Sequence, residues 1–167
     1  MGAGLAVKAG INRHFSVLTF GIAQVAMDIE PLIAMIRGSD VLHGISHTYI
    51  GALVIGIAVM LISPYICAPI LRRYNVEARS IGAYWLVCPE HFSRTALALG
   101  AFIGTLSHIL LDSLMHRDMK PFYPFSDSNP FLGFMPVGAV YQMCFWLGIV
   151  GTLVWVIVKF NHRRQND

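Results

Sequence analysis

Four long apolar stretches separated by short polar or proline-rich breaks organise the chain, at about residues 14–36, 44–71, 95–116 and 136–158. A hydrocarbon core ~30 Å thick is crossed by ~20 apolar residues in a helix, so each stretch is long enough to span. The pattern predicts an all-α integral membrane bundle of about four transmembrane helices, with residues 1–167 forming a single transmembrane domain. Gln24, Asp28 and Glu30 interrupt the first stretch, which argues against a cleavable leader. Pro31 follows at once, and a residue before proline is disfavoured in the α region, so a bend or pause is expected around Glu30. Asp28 and Glu30 stand on different faces of a regular helix, and such a break would let both point inward. The second stretch ends near Pro64, Pro69 and Arg72-Arg73, leaving residues 74–94 as the one sizeable extramembrane segment, with Tyr84 and Trp85 at headgroup level. Gly100 and Gly104 form a GxxxG that would let the third helix pack closely.

Composition agrees with this pattern: 56% of the 167 residues are hydrophobic and 13% charged, with a mean hydropathy of +0.61. Cys67, Cys88 and Cys144 lie far apart with no CxxC pairing and read as packing residues. The net charge of +3 would suggest nucleic acid in a soluble protein, but here the cations flank apolar spans and report topology, with no nucleic-acid partner. With four spans, Lys8, Arg13, Arg72, Arg73, Arg79, Arg94, Lys159, Arg163 and Arg164 share one side, and only Arg37, Arg117 and Lys120 the other. Nine against three places both termini in the cytoplasm of a bacterial inner (plasma) membrane protein.

That topology puts Asp28 and Glu30, His43 and His47, and His108, Asp112 and His116 at one depth near the outer face. His43/His47 and His108/Asp112/His116 are spaced i,i+4, so each set is expected as a stripe on one helix face with ~6 Å rise per step. A single intramembrane His or Asp often serves only to hydrogen-bond between helices. Seven ionisable groups at one depth need mutual compensation or a cation, because burying them in lipid is costly. Imidazole and carboxylate together suit a divalent metal, zinc first with manganese also open. His14 is ~21 Å down a straight helix from Asp28 and belongs to the inner face. His91 and His162 read as solvated groups, and Gln24 as either a partner behind Asp28 or a packing amide.

Asp28-Ile-Glu30-Pro, His43-Gly-Ile-Ser-His47-Thr and His108-Ile-Leu-Leu-Asp112 followed by Pro124-Phe125 resemble the membrane-bound metal-dependent hydrolase family of the YdjM type, over roughly residues 14–125. That family is in turn similar to the zinc-dependent phospholipase C and single-strand nuclease group, which hydrolyses phosphodiesters with bound zinc. The resemblance implies Asp28, His43, His108 and Asp112 as metal ligands, Asp112 able to bridge two ions. Glu30, His47 and His116 would complete a second metal or serve as catalytic base and supporting groups. The chain departs from the pattern at Glu30, where the family has a second Asp, at Gly44, where it has Arg, and at Ser113-Leu-Met-His116, where it has a Thr-Pro-Gly type of turn. These departures bear on substrate recognition more than on the ligands.

The implied activity is hydrolysis of a phosphoester of a membrane lipid or lipid-linked substrate, with Asp28, Glu30 or His116 taking a proton from water. Arg117 and Lys120 are candidates for holding phosphate, or are basic residues snorkelling at a helix end. The Pro121-to-Phe125 run is an interfacial anchor or lines the way in for an acyl chain. Two other classes stay open: a small metal or proton transporter, and a non-catalytic membrane protein whose polar cluster locks the bundle. Transport calls for polar groups spread across the bilayer, whereas here the inner half holds only Gln24 and His14. An intramembrane HExxH protease is excluded because Gly44 follows His43.

Overall fold

The computed structural model describes residues 2–11 and 14–164. Arg13 and the side chains of His162, Arg163 and Arg164, which enter the charge asymmetry, lie outside the described residues. Five α-helices and no strand are found among the described residues: α1 (Gly2–Ile11), α2 (Val17–Ile36), α3 (Tyr49–Ser80), α4 (Arg94–Met115) and α5 (Val137–Arg164). Four of them, α2 to α5, are long and apolar enough to cross a membrane. The expected all-α bundle is therefore what forms.

Helix α1 was not expected. Its 10 residues rise ~15 Å, half a bilayer, so hydropathy over a full span does not reveal it. Small residues seat it on α5: a Cβ at Gly148 would lie 3.2 Å from the Gly2 Cα, and one at Gly151 would enter the Leu5–Ala6 backbone.

The helix does not pause at Glu30 as expected: α2 runs unbroken through Pro31, which is buried in the bundle. Proline removes one donor, a loss that a membrane helix packed among neighbours absorbs locally. Pro64 and Pro69 likewise lie inside α3, which continues past Arg72-Arg73 to Ser80 instead of ending near Leu71. Its 32 residues rise ~48 Å, more than the ~30 Å apolar core, so the basic end projects beyond it. The connection to α4 is correspondingly shorter than residues 74–94. Buried Asn75 pins it, its amide donating to Cys88 O at 2.9 Å and accepting from Cys88 N at 2.9 Å.

The second stretch also begins later than residue 44. Residues Ile45–His47 form a 3-10 turn, and α3 starts after Thr48, whose hydroxyl accepts from the Gly51 amide. Thr48 caps the helix and so leaves His43 and His47 in the preceding loop.

Helix α4 packs on α2 through Gly100 and Gly104, as the GxxxG spacing implies. A Cβ at Gly100 would meet Ser16 O at 2.6 Å, and one at Gly104 would meet the Ala23 Cβ at 2.6 Å. Gly104→Leu is expected to force the two helices apart and destabilise the bundle by ~1–3 kcal/mol, seen as a lower midpoint of thermal unfolding in detergent. All three cysteines are free, Cys67 buried in the core.

Candidate metal centre

The C-terminal ends of α2 and α4 and the N-terminal end of α3 meet at one end of the bundle. Beneath them Met27, Ala52, Ile109 and Met119 form a buried apolar floor. Met119 belongs to the loop after α4, and its burial holds that loop against the histidine-bearing loop before α3. Tyr49 N also donates to Pro121 O at 2.9 Å between the two loops.

His108 and Asp112 stand on one face of α4, with His108 Nε2 3.0 Å from Asp112 Oδ2. Asp28 approaches from α2, its Oδ1 3.3 Å from the same nitrogen. His47 comes from the 3-10 turn, Nε2 3.5 Å from Asp112 Oδ2. His43 lies over His47 with ring centroids 4.8 Å apart, and His116 over His43 at 4.4 Å. His43 and His47 thus meet without the helical stripe expected from their spacing, because the loop folds back. His116 also leaves the stripe, since as the residue after α4 it has extended backbone.

The hydrogen bonds behind the rings fix their tautomers. Gln24 Nε2 donates to Gly104 O at 2.7 Å, so its Oε1 must accept from His108 Nδ1–H, 3.2 Å away. Of the two roles open to Gln24, the structure shows a partner behind the site, on His108. Ser46 Oγ donates its one proton to Glu30 Oε2 in a short bond, so it accepts from His47 Nδ1–H at 2.9 Å. Asp118 Oδ2 accepts from the Leu42 and His43 amides at 2.9 and 3.0 Å, and both its oxygens lie 3.0 Å from His43 Nδ1. Burial raises the Asp118 carboxyl, but these donors outweigh it and hold the pKa at about 2. Burial also lowers the His43 imidazole below its usual value, against the pull of Asp118.

All three imidazoles therefore donate through Nδ1–H, so that each, as a neutral ring, presents Nε2 as its lone pair. The Nε2 atoms of His47 and His108 are buried and make no hydrogen bond among the described residues, although Asp112 stands beside both. A neutral ring's lone pair facing a carboxylate at this range repels it, a conflict relieved by a proton on Nε2 or by a cation held between them. Bonds of about 2.0–2.2 Å in a tetrahedral zinc site place neighbouring donors roughly 3.3–3.6 Å apart; the separations of 3.3 and 3.5 Å fall in that range, and the 3.0 Å between His108 and Asp112 is shorter. Three overlapping groups have donor atoms within 4.8 Å of one another: Asp28, His47 and His108; His43, His47 and Asp112; and His43, His116 and Asp118. The residues present fit a divalent metal.

Glu30 reaches the site without a break in α2 because the histidine loop comes to it. Its Oε2 accepts from Gly44 N at 3.2 Å, Ser46 N at 3.0 Å and the Ser46 hydroxyl, which holds the loop in place. Lys120 pairs with Asp127 at 2.7 Å, exposed to solvent, and Arg117 lines a separate concavity with Leu114, Leu132 and Val137. His14 and His91 are exposed and belong to other parts of the chain. Spacing alone did not reveal Asp118 or Ser46. Asp118 lies 75 positions from His43, and the only signal was a carboxylate two residues past His116.

No curated protein and no solved structure matches the chain. The family model described as YdjM inner membrane protein matches residues 9–166, nearly the whole length, and the chain belongs to that family.

Proposed function

We propose that this protein is a membrane-embedded, metal-dependent hydrolase acting on a phosphoester of a lipid or lipid-linked substrate. The observation that carries this reading is the set of three imidazoles donating through Nδ1–H, two with buried Nε2 atoms that converge on Asp112 Oδ2. Ligating histidines characteristically donate the other ring N–H to a fixed acceptor, as these do to Asp118, Ser46 and Gln24.

His43, His47, His108 and Asp112 would hold the metal, with Asp28 completing it or starting a second site. In this reading His47 is a ligand and not a base, and Glu30 positions His47 through Ser46. A divalent zinc or manganese ion there supplies Lewis acidity toward water and toward a phosphoryl oxygen. His116, next to His43 and partly exposed, would take the proton from the attacking water. Asp112 would keep the two buried rings in register, and Asp118, by accepting from His43 Nδ1–H, fixes the tautomer in which Nε2 is the ligating atom.

Within the apolar length of the spans the His and carboxylate side chains gather at one end, which favours hydrolysis over transport. Toward the other end, the polar side chains inside the spans include the Ser16–Thr19–Ser63 hydroxyls, bonded to one another at 2.9 and 3.2 Å, which carry no charge. With the basic helix ends cytoplasmic, the site opens to the outer leaflet, where a lipid phosphate reaches it directly.

The test is hydrolysis of phosphatidic acid and of soluble phosphomonoesters by chelator-free protein in liposomes. Turnover of the lipid, lost with chelator and restored by zinc or manganese, is expected. Cleavage of soluble esters with none of the lipid counts against the substrate class, and no cleavage of either counts against the hydrolase. Asp118→Ala should weaken metal binding by about 10–100-fold, measured by competition with a chelating dye, because His43 loses its orienting acceptor.

A further inference from the structure

Beside the metal centre, a groove of about 440 Å³ runs between α2 and the start of α3. Ile29, Ile33 and Ile55 form its apolar walls, and Glu30 and Ser46, the pair that carries His47, form its inner end. Arg37 also lines it. Ile29, Ile33 and Arg37 are spaced i, i+4, i+8, so they lie on one stripe of α2 that runs ~12 Å from the apolar wall to the cation. Ile29 and Ile33 are 51% and 43% exposed, so the groove opens sideways toward lipid.

We propose that this groove seats the acyl chain of a membrane lipid, and that Arg37 meets that lipid's phosphate. The proposal rests on the hydrolase reading for its consequence, because it names where the substrate lies. A groove on a spanning helix with isoleucine walls and a guanidinium at its polar end is complementary to an amphiphile with an anionic head. A guanidinium also matches phosphate in a bidentate manner.

Among the described residues Arg37 makes no ion pair, whereas Lys120, the other candidate at this end, is held by Asp127. The Glu30 carboxylate does not oppose an anion strongly, since Oε2 is engaged by two backbone amides and the Ser46 hydroxyl. The rival seat, the concavity between the end of α4 and the start of α5, also has an arginine, Arg117. Of these two, the α2–α3 groove is the one walled by Glu30 and Ser46, which hold His47. A lipid lying in it presents its head to the histidine end of the bundle.

Native mass spectrometry of the detergent-purified full chain with phosphatidic acid, and with diacylglycerol of the same acyl chains, tests the seat. Metal content is read on the same samples. Wild type is expected to retain phosphatidic acid about tenfold more tightly than diacylglycerol. Arg37→Gln should remove that preference, and Ile33→Trp should weaken both lipids about tenfold. Arg117→Gln should behave as wild type, and metal content should not change in any of the three.

Equal retention of both lipids by wild type, or retention indifferent to Ile33 and Arg37, overturns the seat. Loss of the preference in Arg117→Gln instead of Arg37→Gln overturns it too. Lipid held through Arg37 by a metal-free protein supports the seat while removing the hydrolase. A metal-loaded protein whose lipid binding ignores these residues leaves the hydrolase and removes the seat.

Discussion

Asp112→Ala is expected to abolish lipid-phosphate hydrolysis and to weaken metal binding by more than the roughly 10–100-fold that losing an outer hydrogen-bond partner costs. Asp112 Oδ2 is the atom shared by the two buried rings, 3.0 Å from His108 Nε2 and 3.5 Å from His47 Nε2. Removing it takes away the negative charge that makes the pocket attractive to a cation. It also leaves two imidazole lone pairs facing an unfilled space. Asp112→Asn separates charge from shape: it keeps an oxygen at the site without the charge and should recover little of the affinity. Binding within tenfold of wild type in either variant would show that the ion, if present, is held elsewhere. The side chain sits on a regular turn of α4 and accepts no helix-capping bond through its carboxylate, so secondary structure measured by circular dichroism should be unchanged.

His116→Gln is expected to leave metal content intact and to lower kcat by about 10²–10⁴-fold, the range for loss of a general base. The ring stacks on His43 at 4.4 Å and is partly exposed at the rim, outside the Gln24, Ser46 and Asp118 bonds that fix the other three imidazoles. It is thus free to exchange protons with solvent while remaining next to the ligands. KM should change little in the variant. Loss of metal from His116→Gln would instead make it a ligand alongside His43 and Asp118, and the base would have to be Asp28.

The four spans were legible because ~20 consecutive apolar residues have one stable outcome in lipid, and the GxxxG contact of α4 with α2 followed from its small residues. The two proline readings failed for a common reason. Pro31, Pro64 and Pro69 weaken a helix locally, but in a packed membrane bundle the helix continues through them. The i,i+4 pair His43 and His47 was misread as helical although Thr48, a capping residue immediately before the apolar run, marked the later start of α3. The rings still meet, because Glu30 ties the loop down through Gly44 and Ser46. The gathering of His and Asp at one end was readable from topology alone. Which residues stand behind the imidazoles was not: Asp118 reaches His43, and Gln24 reaches His108, across 75 and 84 positions of chain. No local pattern encodes such a pairing. Lys120 looked available for phosphate because its partner Asp127 lies in a loop whose fold has no periodic signal.

The most direct measurement is elemental analysis of the full chain purified without chelators, beside Asp112→Ala and His108→Ala. The account predicts at least one equivalent of zinc or manganese per chain in wild type and loss of it in both variants. A wild type that retains no stoichiometric metal, or variants that retain it fully, would contradict the metal centre and leave the His–Asp cluster as a structural lock of the bundle.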